Sequence, residues 1–493
     1  MLSNKIDITC IFNACMDSLS TEQKDAYDAV LRGESIFLTG PGGTGKSHLI
    51  GLLAERLPAL GKTLAITALT GCAAVLLGHG AKTFHSWAGI GIGKDSVEKY
   101  VTFITKASYL RKRWRSTEVL IIDEISMMTP ELLELVDQVA KGVRRSPKPM
   151  GGIQVIFVGD FLQLPPVSRG GIMKFAFESP YWATIIKQTV HLKRIFRQKD
   201  PIFQGILDEA RFGELSPASL NVLKTRCNLS WDDEPIQPTL LFSRNMDVES
   251  INTTNLEELE GDEYLYQIST TATAGLSGET LQRIVEKMDK EHNYAIELTL
   301  KVGAQVMLIT NLDQEKGLVN GSRGVVTGFK EDVNWPIVMF KNNTHMTIEP
   351  HVWIFDDETP VQRSQLPLRL AYALTIHKAQ GATLDCALVD IGSNTFEYGQ
   401  AYVALSRVKN LESLYIHDVS AGAFRAHSLV KMFYAGTYTA PEPPVSTVPV
   451  LPEILPIKRK TPSLRGKKAS YGFDDDKPIV QQASLKEYWA TST

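Results

Sequence analysis

Short apolar runs alternate with longer helical stretches up to about residue 190. The apolar runs are Ile36–Leu38, Leu64–Thr67, Val119–Ile122 and Val155–Val158, and each is followed by polar or glycine residues. This alternation is typical of a parallel sheet covered by helices. In such folds the chemistry lies at the carboxyl ends of the strands, so the residues after each run are the first candidates for a site.

One segment between the second and third runs is too long for a simple crossover. It covers residues 84–117, and its second half contains the basic and aromatic stretch Lys112-Arg113-Trp114-Arg115. We expect a small insertion in the first α/β unit, which extends over residues 1–190.

The pattern changes over residues 299–365, where short apolar runs flank Asn320-Gly321. Asn-Gly between apolar runs is typical of a β-hairpin, which predicts a small antiparallel β-barrel. Helix–strand alternation resumes afterwards. A second α/β unit is therefore expected over residues 191–298 and 366–435, with the antiparallel domain inserted in it. Residues 436–481 are rich in proline and then basic, which predicts a disordered linker.

Composition narrows the class of protein. The chain has 493 residues, too many for one core, and a net charge of −3, so any nucleic-acid surface must be a local groove. The absence of an apolar run of about 18 residues argues against a membrane span, and the N-terminus lacks the pattern of a secretory signal. Five scattered cysteines without a CxxC pair give no support for zinc and suit a reducing, intracellular compartment.

A glycine-rich loop follows the first apolar run and precedes a predicted helix. Its backbone N–H groups can surround phosphate oxygens, and the helix N-terminus adds partial positive charge. Lys46 is expected to reach the β- and γ-phosphates of ATP, and Ser47 to bind Mg²⁺. The predicted loop consists of Gly40, Pro41, Gly42, Gly43, Thr44, Gly45, Lys46 and Ser47.

Two further strand ends carry candidate catalytic groups. Asp123 and Glu124 follow the third run, where Asp123 is suited to hold Mg²⁺ and Glu124 to act as general base for the attacking water. Gln163 follows the fourth run and can reach a γ-phosphate or its water. In the same stretch, Phe161 and Pro165 offer an apolar face on which a base could pack.

Two arginines are candidates for stabilising charge on the transferred phosphate. Arg197 lies in Phe196-Arg197-Gln198, and Arg407 ends Ala404-Leu405-Ser406-Arg407. A single arginine is more often a surface ion pair, so the assignment depends on the motifs around them.

The motifs taken together resemble those of superfamily 1 helicases, and more narrowly the PIF (petite integration frequency) family of 5′→3′ DNA helicases. The resemblance covers about residues 19–419. The motifs that carry it, in chain order, are GPGGTGKS, TGCAA, TFHS, IIDEISMM, GGIQVIFVGDFLQLPPV, FRQ, TIHKAQGATLD and YVALSR.

The resemblance implies two RecA-like P-loop lobes with ATP between them. It implies that Gln23 recognises adenine, that Gln380 and Arg407 contact the nucleotide from the second lobe, and that Arg197 is the other arginine. It also implies that the insertion at residues 84–117 helps to split the duplex. The residues that match its DNA-binding face are Thr70, His85, Phe161, Pro165, His377 and Lys378.

The function that this resemblance implies is ATP-dependent 5′→3′ unwinding of duplex or forked DNA by translocation on a single strand, in replication, repair or recombination. The expected location is the nucleus of a eukaryote, or the cytoplasm for a viral or bacterial protein. Two alternatives stay open. One is a RecD-like recombination helicase, and the other is an ATP-gated module that grips single strands without unwinding them.

The last residues resemble the peptide with which proteins dock on the sliding clamp PCNA. Leu485, Tyr488 and Trp489 fall at positions i, i+3 and i+4, so one helical turn would present all three on one face beside Gln482. We expect residues 482–489 to bind a clamp of the PCNA type. The alternative is a tail helix that packs on its own motor domain.

Overall fold

The computed structural model describes residues 18–441 apart from 92, 167–172, 231–235, 243–244, 273–275, 292–293, 314–315, 356–360 and 393–394. Most of the expected linker and the whole clamp-binding peptide lie outside these residues. Within the described ranges, no helix is both long and apolar enough to cross a membrane.

A fully parallel sheet forms the centre of the first lobe. Its strands are β1 (Ile36–Thr39), β2 (Leu64–Ala68), β3 (Lys82–Thr83), β4 (Val119–Asp123), β5 (Gln154–Gly159) and β6 (Gln188–His191). They lie in the order β3-β2-β4-β5-β1-β6. The four predicted strands correspond to β1, β2, β4 and β5. Strands β1 and β4 are buried along their whole length, as expected when helices cover both faces of a sheet.

The helices of this lobe are α1 (Thr21–Leu31), α2 (Lys46–Ala59), α3 (Gly71–Leu77), α4 (Phe84–Ala88), α5 (Val97–Lys106), α6 (Ser108–Ser116), α7 (Pro130–Arg144) and α8 (Trp182–Ile185). Several begin at side-chain caps that the sequence encodes. The Ser20 hydroxyl accepts a hydrogen bond from the Gln23 N–H, while Gln23 Oε1 accepts one from the Ser20 N–H, which forms a capping box before α1. Thr129 caps α7, whose first residue is Pro130.

The insertion at residues 84–117 folds as α4, α5 and α6. Its aromatic side chains anchor it to the lobe, because Trp87 and the completely buried Trp114, whose rings lie 4.7 Å apart, belong to the same core cluster as Phe37 of β1. The Trp114 Nε1 donates to the carbonyl of Ala88 at 3.0 Å. The residues of the basic and aromatic stretch therefore have different environments. Trp114 is in the core, whereas Arg115 is exposed and its Nε donates to the Val143 carbonyl.

The second lobe contains a smaller parallel sheet. Its strands are β7 (Thr239–Phe242), β18 (Ala373–Thr375), β19 (Ala387–Ile391) and β20 (Leu414–Val419), in the order β18-β7-β19-β20. Its helices are α9 (Pro201–Phe212), α10 (Pro217–Lys224), α11 (Asn245–Glu257), α13 (Ile376–Ala379) and α14 (Gln400–Leu405). The predicted pair of α/β lobes is thus confirmed.

The inserted module between β7 and β18 is antiparallel, as predicted. It contains helix α12 (Gly278–Glu291) and the strands β8 (Tyr264–Gln267), β9 (Ser269–Ala272), β10 (Glu297–Leu300), β11 (Gln305–Leu308), β12 (Arg323–Phe329), β13 (Pro336–Phe340), β14 (His345–Thr347), β15 (His351–Ile354), β16 (Val361–Gln365) and β17 (Leu368–Leu370). These strands form sheets of order β14-β13-β12-β11-β17, β15-β16-β9 and β10-β8.

The predicted limits of this module, residues 299–365, are wrong at both ends. Strand β9 pairs with β16, and β8 pairs with β10, so residues from 264 onward belong to the module. At the other end, β17 pairs with β11 and extends the module to residue 370. The sequence pattern does not mark residue 264 as the start of the module. The strands β8 and β9 pair with strands about 30 and 90 residues later in the chain, and a local pattern does not show such pairing.

The C-terminal helix α15 (Ser428–Tyr434) was predicted to belong to the second lobe, and this is also wrong. Val430 is fully buried in the aromatic core of the first lobe, and the Phe433 ring stacks on that of Phe177 at 4.2 Å. Tyr438 continues this packing at 5.2 Å from Phe177. Helix α15 returns to the first lobe because its apolar and aromatic side chains cover apolar surface that this lobe would otherwise expose.

Candidate active site

The loop between β1 and α2 approaches two other segments so closely that it requires glycine. Gly43 and Gly45 both have φ of +82°, in the left-handed region that favours glycine. A Cβ on Gly43 would lie 2.6 Å from Cβ of Arg197, and one on Gly45 would lie 2.5 Å from Nε2 of Gln23. The loop therefore packs against both α1 and the segment that follows β6.

Lys46 lies at the first position of α2 and folds back over the loop. Its Nζ donates to the carbonyl of Gly40 at 2.7 Å and to that of Pro41 at 3.0 Å. Burial lowers the pKa of Lys46, and the attraction of nearby carboxylates opposes this effect. The ammonium group is thus held at the mouth of the phosphate loop, where the sequence predicts it.

The acidic pair, Asp123 and Glu124, lies at the carboxyl end of β4. Burial raises the pKa of Asp123 to about 6. Burial, and then the neighbouring Asp123 charge, raises that of Glu124 to about 7. Glu124 has a left-handed backbone with φ of +56°, and its Oε2 accepts a 2.9 Å hydrogen bond from Nε2 of Gln380. Because Gln380 directly follows α13, this bond joins the two lobes at the acidic pair.

The two predicted arginines lie next to each other. Arg407 is 1% exposed, and its guanidinium donates to Val403 O at 2.8 Å and to Ser406 Oγ at 2.6 Å. Arg197 donates from Nη1 to Ser406 O at 3.1 Å. Burial, together with the charge of Arg197, lowers the pKa of Arg407 to about 9. A Cβ on Gly42 would lie 3.6 Å from Nη2 of Arg407, so this arginine faces the phosphate loop.

Tyr402 is a further cross-lobe contact that sequence reasoning missed. It lies on α14, and its hydroxyl accepts a 2.9 Å hydrogen bond from the Gly42 N–H of the phosphate loop. Burial raises the pKa of Tyr402 to about 12. The only signal in the sequence was its position five residues before Arg407, in an apolar stretch that indicates core.

The remaining predicted nucleotide residues lie on the first-lobe side. Gln23 is buried, and its Nε2 donates to the carbonyls of Thr44 and Gly45 at 3.3 and 3.4 Å, which places it at the phosphate loop. Gln163 is 6% exposed in the turn after β5. Ser47 is exposed in the first turn of α2, next to Lys46.

Four of the predicted DNA-contacting residues lie at helix ends that face each other across the lobes. Thr70 caps α3, and His85 lies in α4 with its pKa lowered by burial. His377 and Lys378 lie in α13, where burial and the Arg369 charge lower the pKa of Lys378. The approach is close, since a Cβ on Gly381 after α13 would lie 2.9 Å from Leu76 Cδ1 in α3.

The structure contradicts the prediction that Phe161 and Pro165 contact DNA. Phe161 is 2% exposed, and its ring lies 4.9 Å from Phe177 and 5.7 Å from Phe433 in the aromatic core. Pro165 is also buried. The ring that Phe161 was expected to present to a base is instead covered by Phe433 of α15.

Asp160 is the second group that sequence reasoning missed. It is fully buried at the end of β5 and forms a two-pronged ion pair with Arg211 of α9, at 2.8 and 2.9 Å. Although burial opposes it, Arg211 holds the pKa of Asp160 below its usual value. The hydroxyl of Tyr434 lies 3.1 Å from Asp160 Oδ1 and 2.7 Å from Thr39 Oγ1. We call Asp160, Arg211, Tyr434 and Thr39 the Asp160 cluster.

Comparisons with known proteins agree with this geometry. Residues 18–211 match the family model described as PIF1-like helicase, and residues 293–329 match the model described as DNA helicase Pif1, 2B domain. The second match falls inside the antiparallel module of the second lobe.

Individual relatives span most of this chain. It is 40% identical over 420 residues to ATP-dependent DNA helicase PIF1 of Xenopus laevis, which covers 84% of this chain and 64% of that protein. This chain is also 33% identical over 500 residues to uncharacterized protein 030L of Invertebrate iridescent virus 6. The alignment covers 84% of this chain and 94% of the viral protein. Among solved structures, the crystal structure of Pif1 helicase from Candida albicans matches with a TM-score of 0.70 and a sequence identity of 36%. The match covers 85% of this chain and 99% of that chain. The chain belongs to the PIF1-like helicase family.

Proposed function

We propose that this protein is an ATP-dependent DNA helicase that moves 5′→3′ on single-stranded DNA and unwinds duplex or forked DNA. One observation carries the proposal. Catalytic candidates from both lobes meet at one cleft, where Gln380 of the second lobe donates to Glu124 of the first. A site divided between two lobes can couple hydrolysis to their relative movement, which is what stepping along a strand requires.

The chemistry follows from the positions of the side chains. Lys46 lies at the loop that would surround the phosphates, and Glu124 is the candidate base for the attacking water, since its pKa of about 7 suits proton transfer near neutral pH. Arg197 and Arg407 supply positive charge from the opposite side. The solved structure of Bacteroides Pif1 in complex with ADP-AlF4, 28% identical to this chain, supports nucleotide use in the family.

The oxygen donors in this cleft suit Mg²⁺. Asp123 offers a carboxylate and Ser47 a hydroxyl, which are ligand types that this ion accepts alongside phosphate oxygens and water. Asp123 lies in a desolvated position where burial raises its pKa, so a divalent cation would relieve the cost of its charge. When bound, the ion would neutralise charge on the phosphates.

The proposed DNA surface lies between α3 and α13, where Thr70, His85, His377 and Lys378 are found. Small polar and basic groups of this kind typically bind the sugar–phosphate backbone, so we expect weak sequence preference. Structures of Bacteroides Pif1 bound to ssDNA and of two Pif1 helicases at forked dsDNA, 28% and 29% identical to this chain, support these substrates.

Strand displacement tests the function and its direction. We expect a duplex with a 5′ single-stranded tail to be unwound in the presence of ATP and Mg²⁺, and a duplex with a 3′ tail to remain intact. Lys46→Ala should abolish unwinding, while Lys62→Ala, at an exposed lysine, should not. Unwinding of 3′-tailed duplexes alone would refute the direction, and activity of Lys46→Ala would refute the site.

We also propose that residues 482–489 bind a sliding clamp of the PCNA type through Gln482, Leu485, Tyr488 and Trp489. The spacing of the apolar residues on one helical turn supports this. A peptide of residues 478–493 should bind the clamp in calorimetry, and Tyr488→Ala with Trp489→Ala should abolish binding. The same double substitution should leave clamp-free ATP hydrolysis unchanged. Undetectable binding of the unaltered peptide would exclude the docking role.

A further inference from the structure

Tyr434, in the last turn of α15, connects two segments that would flank the phosphates of bound ATP. Thr39 is the residue directly before the phosphate loop, and Phe161 begins the turn that carries Gln163. The Tyr434 hydroxyl lies 2.7 Å from Thr39 Oγ1 and accepts a 3.1 Å hydrogen bond from the Phe161 N–H. We propose that Tyr434 is a positioning residue for ATP hydrolysis, which fixes Gln163 relative to the phosphate loop. This inference rests on the proposed ATP hydrolysis.

The hydrogen-bonding capacity of the Tyr434 hydroxyl is completely used. A phenol hydroxyl donates one hydrogen bond and accepts two. The carboxylate of Asp160, paired with Arg211, can only accept, so the Tyr434 proton points to Asp160 Oδ1 at 3.1 Å. The hydroxyl then accepts from Phe161 N–H and from the Thr39 hydroxyl. This leaves one arrangement of protons and one orientation for the side chain.

The same cluster reaches the second lobe. Arg211 lies near the end of α9, the helix that begins three residues after Gln198, and Gln198 Nε2 donates to the carbonyls of Ser406 and Val408 around Arg407. The Asp160 ion pair therefore connects the Gln163 turn to α9, the helix that follows the segment carrying Arg197. A buried pair of this geometry resists displacement, because neither charge has water as an alternative partner.

Loss of the Tyr434 hydroxyl would remove only the polar connection. The ring itself is held by packing, with Phe433 beside it at 5.6 Å and His191 at 5.7 Å. Tyr434→Phe keeps these contacts but leaves the Phe161 N–H without its acceptor and lets the Gln163 turn move relative to Thr39. Small displacements of this kind affect the chemical step more than ground-state binding.

Tyr438 provides a matched control. It lies four residues later and packs on the ring of Phe177, but in the part of the chain that the structure describes its hydroxyl has no hydrogen-bond partner. We expect Tyr434→Phe to lower kcat of DNA-stimulated ATP hydrolysis by about 10-fold or more, with KM for ATP and single-stranded DNA affinity little changed. Tyr438→Phe should retain kcat within about two-fold of the unsubstituted protein.

Hydrogen exchange separates this inference from the proposed function, since it needs no activity. In the full-length protein, peptides that contain Phe161 should exchange faster in Tyr434→Phe than in Tyr438→Phe. Thr39→Val should act in the same direction, and combined with Tyr434→Phe it should add little, because both remove the same connection. Equal exchange in the two phenylalanine variants, or an unchanged kcat in Tyr434→Phe, would overturn the positioning role. Loss of ATP hydrolysis in the unsubstituted protein would instead refute the proposed function.

Discussion

Carboxylates lie at the ends of two neighbouring strands beside the phosphate loop, and the surroundings at the two strand ends are opposite in kind. The acidic pair ends β4, and burial raises the pKa of Asp123 to about 6 and that of Glu124 to about 7. Asp160 directly follows β5, the adjacent strand, and although burial opposes the shift, Arg211 holds its pKa below the usual value. All three carboxylates share the same edge of the sheet.

The difference lies in the partners that the protein itself provides. Asp160 has a fixed guanidinium and further donors, so its charge is compensated in the folded chain. The acidic pair has the neutral donor Gln380 and the nearby charge of Lys46, whose ammonium group is itself bonded to the carbonyls of Gly40 and Pro41, so the pair is short of positive charge. Carboxylates left in this condition in a cleft are typical of sites that take up cations or protons, whereas a compensated one holds structure together.

The largest effect should come from the two arginines beside the phosphate loop. Arg407→Ala or Arg197→Ala should lower DNA-stimulated ATP turnover by about 10³-fold, because each would supply charge to the transferred phosphate. Binding to single-stranded DNA without nucleotide should persist. Phosphate release and fluorescence anisotropy measure the two properties. Normal turnover in both variants would mean that the arginines only support the structure.

Removal of the Asp160 charge should act on stability. Asp160→Asn leaves Arg211 buried without a counter-charge, and we expect a loss of about 3–5 kcal/mol in the free energy of unfolding. Denaturant unfolding measures this change, with Asp25→Asn, at an exposed position of α1, as the control. If Asp160→Asn unfolded at the same denaturant concentration as the unsubstituted protein, the ion pair would not anchor the lobes.

The smallest expected effect is a change in how stability depends on pH. The folded-state pKa of Glu124 lies above its ordinary value, so the folded protein holds a proton that the unfolded chain has released. Without nucleotide and metal, this contribution to stability is present at about pH 4 and is lost as the pH rises to about 7. Glu124→Gln should flatten this part of a plot of Tm against pH, and Glu55→Gln, at an exposed position, should not. Identical slopes of Tm against pH for Glu124→Gln and the unsubstituted protein would show that burial does not disfavour the charged form of Glu124.

The sequence predicted the half of the site that consists of contiguous motifs. The phosphate loop, the acidic pair and the strands before them are local patterns, so both their structure and their chemistry follow from neighbouring residues. The contacts of Asp160 were not predictable in this way, because Arg211 is 51 and Tyr434 274 residues distant. An arginine on an amphipathic helix and a tyrosine near the end of the fold carry no local sign of a shared partner.

The wrong predictions have a related cause. Phe161 was expected to face DNA because it offers an apolar face on which a base could pack. Its ring instead belongs to a core that α15, from the far end of the chain, completes. The limits of the antiparallel module failed for the same reason, since β9 pairs with a strand about 90 residues later. The local sequence pattern predicts whether a segment is a helix or a strand, whereas contacts between distant residues decide to which domain that segment belongs.

The central claim is that the acidic pair performs chemistry on ATP while the Asp160 cluster holds the cleft together. Phosphate release by Glu124→Gln in the presence of single-stranded DNA tests it most directly, with nucleotide binding measured on the same preparation. We predict that ATP still binds and that turnover falls by about 10²- to 10⁴-fold, because only the general base is lost. Turnover within a few-fold of the unsubstituted protein would contradict the account.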